Sequence, residues 1–264
     1  MTTLRNALLS FVLLVTLGCS TVPITGRRQV SLVSDAEVTQ MSIQAYSDLM
    51  KQSKLSSNAQ QTNMVKNVGR KIQAAVESFM RQQGASAQLE GYQWEFNLIE
   101  DASQQNAFAM AGGKTAVYTG LLPVTQNEAG LAVVMGHEIA HVIAKHSNER
   151  ISQQMAAEGI GATLGGLGGG ASAQILNTAY GIGAGVGMMK FGRTQESEAD
   201  RLGLIFMAMA GYNPETAITF WQRMAASSGG QSAPEILSTH PSNETRIADI
   251  QKHMPEAKKY YTGR

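Results

Sequence analysis

Two histidines four residues apart with a glutamate after the first, His137-Glu138-Ile139-Ala140-His141, are the residues of this sequence best equipped for chemistry. On an α-helix a four-residue step advances about 6 Å and returns to the same face, so both imidazoles can reach one ion. Imidazole nitrogens joined by one carboxylate, with a position left for water, make a catalytic zinc site. Glu138 lies beside the histidine face, within reach of that water as a general base. The chemistry on offer is metal-assisted hydrolysis.

Such a site needs a third protein ligand from further along the chain. The metzincin spacing would require Gly and His where this sequence has Ala144 and Ser147, which excludes that class. Glu196 and Asp200 are the candidates, because E-x-x-x-D on a helix puts both carboxylates on one face, one to ligate the metal and the other to orient a ligand histidine. Glu198 points away from that face. Glu158 has no acidic partner four residues on.

The elements that must position these residues read as mainly helical with a small mixed sheet, an α+β class. Ser34 and Glu37 form a capping box opening a helix to about residue 50, with Val38, Met41, Ile43 and Leu49 as core contacts. Asn58 caps a second helix carrying Val65, Val68, Ile72, Ala75, Val76 and Phe79 at helical spacing, and Gly84 offers its stop. Trp94, Phe96 and Leu98 alternate with polar residues, and residues 107–111 connect through Gly112-Gly113 to an extended stretch at 115–119. Asn127 caps the helix that holds the metal motif, with Leu131, Val134, Val142 and Ile143 as apolar members. His146 is rotated away from the metal face, which gives it a structural role. An uncharged glycine-rich stretch follows at 159–189, with G-x-x-x-G spacing that lets two helices approach closely, and Ser172, Gln174 and Asn177 interrupt its apolar run, which favours a helical hairpin lying in water or on a surface over a membrane span. A further helix runs over 194–210, stopped by Gly211 and Pro214.

Length and charge narrow the function. The 264 residues have room for one domain, or one domain with extensions, and a net charge of +1 supplies no broad field for nucleic acid, which is not expected as a partner. Residues 1–18 read as a secretory signal, with Arg5 before an apolar run too short for a mature span. The single cysteine, Cys19, stands where a bacterial lipoprotein is cleaved and lipidated, which accounts for an unpaired thiol in an oxidising compartment. Residues 19–33 then form a linker and 34–264 the catalytic domain. Ser20 after the cysteine implies the periplasmic face of the outer membrane.

Gly136-His137-Glu138-Ile139-Ala140-His141-Val142, Arg193-Thr194-Gln195-Glu196-Ser197-Glu198-Ala199-Asp200 and Thr239-His240-Pro241 resemble the gluzincin metalloproteases of the HtpX and CAAX prenyl protease (Ste-type) family. Pro23-Ile24-Thr25-Gly26-Arg27-Arg28-Gln29 is similar to its single-domain bacterial lipoprotein branch. The resemblance implies a zincin-like fold and one zinc ion per chain held by His137, His141 and Glu196, with Glu138 catalytic and Asp200 supporting. It implies that His240 donates to the reaction's oxyanion, with Arg246 orienting it or pairing with a carboxylate. It also implies that Asn106, Ala107, Phe108 and Ala109 form an edge strand to which an extended peptide adds. Integral-membrane members carry a hairpin where this chain has its glycine-rich stretch, and here no clearly apolar span is present. The expected activity is zinc-dependent cleavage of unfolded or misassembled envelope polypeptides; the other reading is a chaperone-like binding lipoprotein without turnover. Oligomeric state is not legible in the sequence.

Overall fold

The computed structural model describes residues 19–22, 25–157, 191–227, 240 and 244–263. The signal at 1–18, Pro23, Ile24, the glycine-rich stretch at 159–189, Thr239 and Pro241 lie outside them. The described chain runs β1 (Cys19–Thr21), β2 (Arg28–Val30), α1 (Asp35–Gln52), α2 (Ala59–Gln82), β3 (Glu95–Ile99), β4 (Ala107–Met110), β5 (Lys114–Tyr118), α3 (Leu122–Thr125), α4 (Glu128–Ile143), α5 (His146–Ala157), α6 (Arg193–Met209), α7 (Thr216–Ser227) and α8 (Glu244–Lys258).

Local chemistry sets the helix starts. Ser34 and Glu37 make the expected capping box of α1, while Asn58 and Asn127 accept backbone bonds from Gln61 and Gly130 at the starts of α2 and α4. The buried stripe of α1 is Val38, Ser42 and Tyr46; Met41, Ile43 and Leu49, expected as core, are only half-buried. Tyr46 earns its place there by donating its hydroxyl to the Thr115 carbonyl at 2.7 Å.

The sheet is small and mixed as expected. Its order is β3-β5-β4, with β3 parallel and β4 antiparallel to β5. Gly112 and Gly113 turn the chain between β4 and β5 at φ of +84° and +79°, values open to glycine without a Cβ penalty. The outer strands β3 and β4 are therefore its two edges, and β4 packs beside α4.

At the centre lies α4, buried from Gly130 through Ile143 and packed against α2, β4, α6 and α7. It does not run on into α5. Lys145 takes φ +58°, and the chain restarts as a new helix at His146. Residues 19–33, expected as a linker, form the antiparallel β1–β2 pair and lie against α5, where Leu32 N–H donates to Ser152 Oγ at 2.8 Å. Among the described residues no helix is long and apolar enough to cross a membrane.

Candidate metal centre

His137 and His141 sit one turn apart on α4 and turn their Nε2 atoms toward each other at 3.0 Å. The carboxylates come from α6, which crosses α4 where Gly136 meets Gly203. A Cβ on Gly203 would lie 2.9 Å from the His137 backbone nitrogen, so the helices approach this closely only because no side chain intervenes. From that crossing Glu196 Oε1 lies 3.4 Å from His141 Nε2, and Asp200 Oδ1 lies 2.9 Å from His137 Nδ1. The pair expected on one face of a helix does face the histidines together.

His240 joins them. Its Nδ1 is 3.1 Å from His137 Nε2 and 2.8 Å from Glu196 Oε1, which puts it in the same cluster as the ligand candidates. One donor atom from each of His137, His141, Glu196 and His240 lies within 4.8 Å of the others. Glu138 stands beside them with Oε1 3.4 Å from His240 Nε2. Arg246 pairs with Asp200 through two bonds of 2.9 and 2.7 Å, donates to the His240 carbonyl at 3.1 Å, and lays its guanidinium 3.5 Å from the centre of the Trp221 ring. Asn106, Ala107, Phe108 and Ala109 lie at and just before β4; the Asn106 carbonyl accepts from Tyr118 N–H at 3.0 Å. Cys19 begins β1.

Hydrogen-bond partners dictate the ring tautomers, and these test whether a cation fits. Asp200 can only accept, so His137 carries a proton on Nδ1, and its Nε2 lone pair is the one left for a metal when the ring is neutral. The His141 Nδ1 likewise has a partner, His146 Nδ1 at 2.8 Å. With both rings neutral, two bare lone pairs 3.0 Å apart repel unless positive charge, a metal ion or a proton, sits between them. Ligands of one ion at about 2.0–2.1 Å in tetrahedral array stand about 3.4 Å from one another, and the corresponding contacts here run from 2.8 to 3.4 Å. In keeping with that demand, Glu138 Oε1 and Glu196 Oε2 are buried without a hydrogen-bond partner; Arg246 Nη1 is 3.2 Å from the latter but off the bonding direction. The donor set fits a borderline-soft divalent metal.

Without a metal the cluster holds a proton instead, which an incoming cation must displace. Burial and the nearby Arg246 oppose a charged His137, yet Asp200 and Glu196 outweigh them and its pKa is raised to about 9. Burial holds His141 well below the ordinary histidine value. Burial also acts to raise Glu196, but His240 and His137 bring its carboxyl down. For Glu138 burial wins and the carboxyl is pushed up, as suits a group that must take and return a proton.

Four residues without an expected role in the site also touch it. Phe191 stacks on the His141 ring with centroids 3.9 Å apart, and Trp221, read as plain core, meets His137 edge-on. His146 and Glu198 stand behind His141, with His146 Nε2 2.8 Å from Glu198 Oε2. Only the chain break at Lys145 brings His146 there.

Crossed helices in which one supplies imidazoles and the other carboxylates, flanked by a sheet with an open-ended order, make this a zincin-like α+β metallopeptidase domain. The chain belongs to peptidase family M48, whose profile matches residues 67–254. It is 35% identical over 244 residues to the mitochondrial metalloendopeptidase OMA1 of Schizosaccharomyces pombe, covering 89% of this chain and 66% of that protein. To OMA1 of Saccharomyces cerevisiae it is 34% identical over 66% of this chain and 50% of the relative. To the beta-barrel assembly-enhancing protease of Escherichia coli K12 it is 32% identical over 59% of this chain and 33% of the relative. The chain thus spans at most about two thirds of the length of these curated relatives. They lie on the OMA1 and assembly-protease side of the family, whereas the motifs had suggested HtpX and the CAAX prenyl proteases.

Proposed function

We propose that this chain is a zinc-dependent endopeptidase of the bacterial cell envelope that cleaves unfolded or misassembled envelope polypeptides. The observation that carries the reading is the convergence of His137, His141 and Glu196 on one point, with the buried Glu138 carboxyl beside it. When bound, zinc supplies Lewis acidity to a peptide carbonyl and to water. Asp200 fixes the His137 tautomer, and Arg246 neutralises Asp200. Glu138 accepts the proton of the attacking water and delivers it to the departing amine. An extended substrate adds to the edge at Asn106, Ala107, Phe108 and Ala109 by backbone hydrogen bonds, which accept many sequences. The envelope setting rests on the leader at 1–18 and the lipid site at Cys19, together with the likeness to an Escherichia coli protein named for β-barrel assembly. The HtpX and prenyl-protease likeness rests on the motifs alone, as does the single-domain lipoprotein branch.

One observation favours a second reading. With His240 included the centre has four protein donors, the closed count of a structural site, where a catalytic one keeps three and an open position. A binding or chaperone-like lipoprotein would carry that arrangement permanently. Cleavage of casein by the zinc-loaded chain decides between them. The expected result is chelator-sensitive cleavage that falls about 10²- to 10⁴-fold in Glu138→Gln while zinc content is kept. Undiminished cleavage in that variant removes Glu138 from the mechanism, and absence of cleavage in the parent supports the binding lipoprotein. For location, Cys19→Ala is expected to move the protein from the membrane to the soluble fraction of cells; unchanged fractionation removes the anchor.

A further inference from the structure

The second ligand histidine is supported by a longer chain of bonds than the first, and that chain ends in the N-terminal hairpin. For His141 to present a lone pair from Nε2, its one proton must sit on Nδ1. That atom is 2.8 Å from His146 Nδ1, which must therefore be bare and accept. The His146 proton is then on Nε2, 2.8 Å from Glu198 Oε2, and Glu198 accepts it. Arg27 Nε donates to the same Glu198 oxygen at 2.8 Å across 171 residues of sequence, and the Thr25 hydroxyl donates to the other. Arg27 Nη1 is held in turn by Glu149 at 2.9 Å. Every proton in the series has one direction to point. Histidine 146 is fully buried and Glu198 nearly so, and such groups are kept inside a protein only with their bonds made.

We propose that Arg27, Glu198 and His146 are positioning residues of the metal centre, through which the hairpin after Cys19 sets the tautomer of His141 and the grip on the metal. The inference rests on the zinc reading above. It gives each α4 histidine the same support, a carboxylate neutralised by an arginine. For His137 these are Asp200 and Arg246 directly; for His141 they are Glu198 and Arg27 with His146 interposed. A cluster that served only to tie the hairpin to α5 and α6 would need no imidazole at position 146 and would be indifferent to which nitrogen bears the proton.

The test uses the full chain loaded with zinc, chelator competition for affinity, and the electronic spectrum of the cobalt-substituted protein for ligand geometry. His146→Phe fills the same space without the bonds, and His146→Gln keeps one acceptor and one donor. Loss of a partner behind a metal-bound histidine costs roughly 10- to 100-fold in affinity. His146→Phe is expected in that range, Arg27→Ala about tenfold down, both with shifted cobalt spectra, and His146→Gln close to the parent. Should the Phe variant fail to fold, Arg27→Ala carries the test, since that side chain is 20% exposed on the hairpin. Folded Phe and Ala variants with lower melting temperatures but the parent's affinity and spectrum would overturn the proposal, as would a Gln variant no better than Phe. A parent that takes up no zinc is a separate result, sinking the metal reading and this inference with it.

Discussion

At the scale of single residues the cluster of possible metal donors depends on groups outside it. Asp200 is buried, and burial acts to raise its pKa; Arg246 and His137 bring it down. An arginine suits this place because its planar fork meets both carboxylate oxygens while its face lies on Trp221, and a lysine can do neither. Removing Arg246 outright would strand a buried charge, at a cost of about 3–5 kcal/mol. The milder Arg246→Lys is therefore the informative change: it is expected to fold and to bind zinc about tenfold more weakly, because Asp200 is left less firmly aimed at His137 Nδ1. Asp200→Asn, which keeps an acceptor but loses the charge, should fall in the same range. Chelator competition measures both, and parental affinity in Arg246→Lys would show that the fork has no part in holding His137.

Between elements the decisive feature is the crossing of α4 and α6. Gly203→Ala sets a methyl group 2.9 Å from the His137 backbone nitrogen, and backbone cannot yield as a side-chain end can. The helices must separate, and Glu196 and Asp200 move away from the histidines with α6. A loss of about 1–3 kcal/mol in stability is expected, with a fall in zinc affinity besides. Thermal melting and metal content would report both, and an alanine variant unchanged in each would mean that the crossing is looser than the contact requires. Much of this level was legible in sequence. The caps at Ser34, Asn58 and Asn127, the mixed sheet and the common face of Glu196 and Asp200 follow from local rules. What local rules miss is the break after α4. One non-glycine residue, Lys145 at φ +58°, returns His146 to the site when uninterrupted helical periodicity would have turned it away. Glu198 does leave the face shared by Glu196 and Asp200, as expected, yet it goes to His146 and Arg27, and a partner 171 positions away leaves no periodic trace.

Across the molecule, the same donors that form the site tie together segments far apart in sequence. His137 and His141 belong to the central helix, Glu196 to the helix crossing it, and His240 to a point 103 residues beyond His137. With neutral rings and no cation these groups bring lone pairs and a carboxylate into a buried space, so where its core helices meet the fold holds an electrostatic conflict that only a proton or a metal ion relieves. An ion that binds only the folded chain removes the conflict and adds stability by mass action, about 4 kcal/mol when free metal is a thousandfold above the dissociation constant. For a domain of this size each kcal/mol is worth roughly 2–4 °C, so stripping the metal should lower the melting temperature by on the order of 10 °C. The fall should be reversed by adding zinc back and should shrink in His141→Ala, which has already lost part of the grip. Calorimetry of the chelated, reloaded and variant proteins would measure it. A melting temperature indifferent to chelator, in protein shown to have lost its metal, would mean that the four donors meet for a reason other than holding an ion.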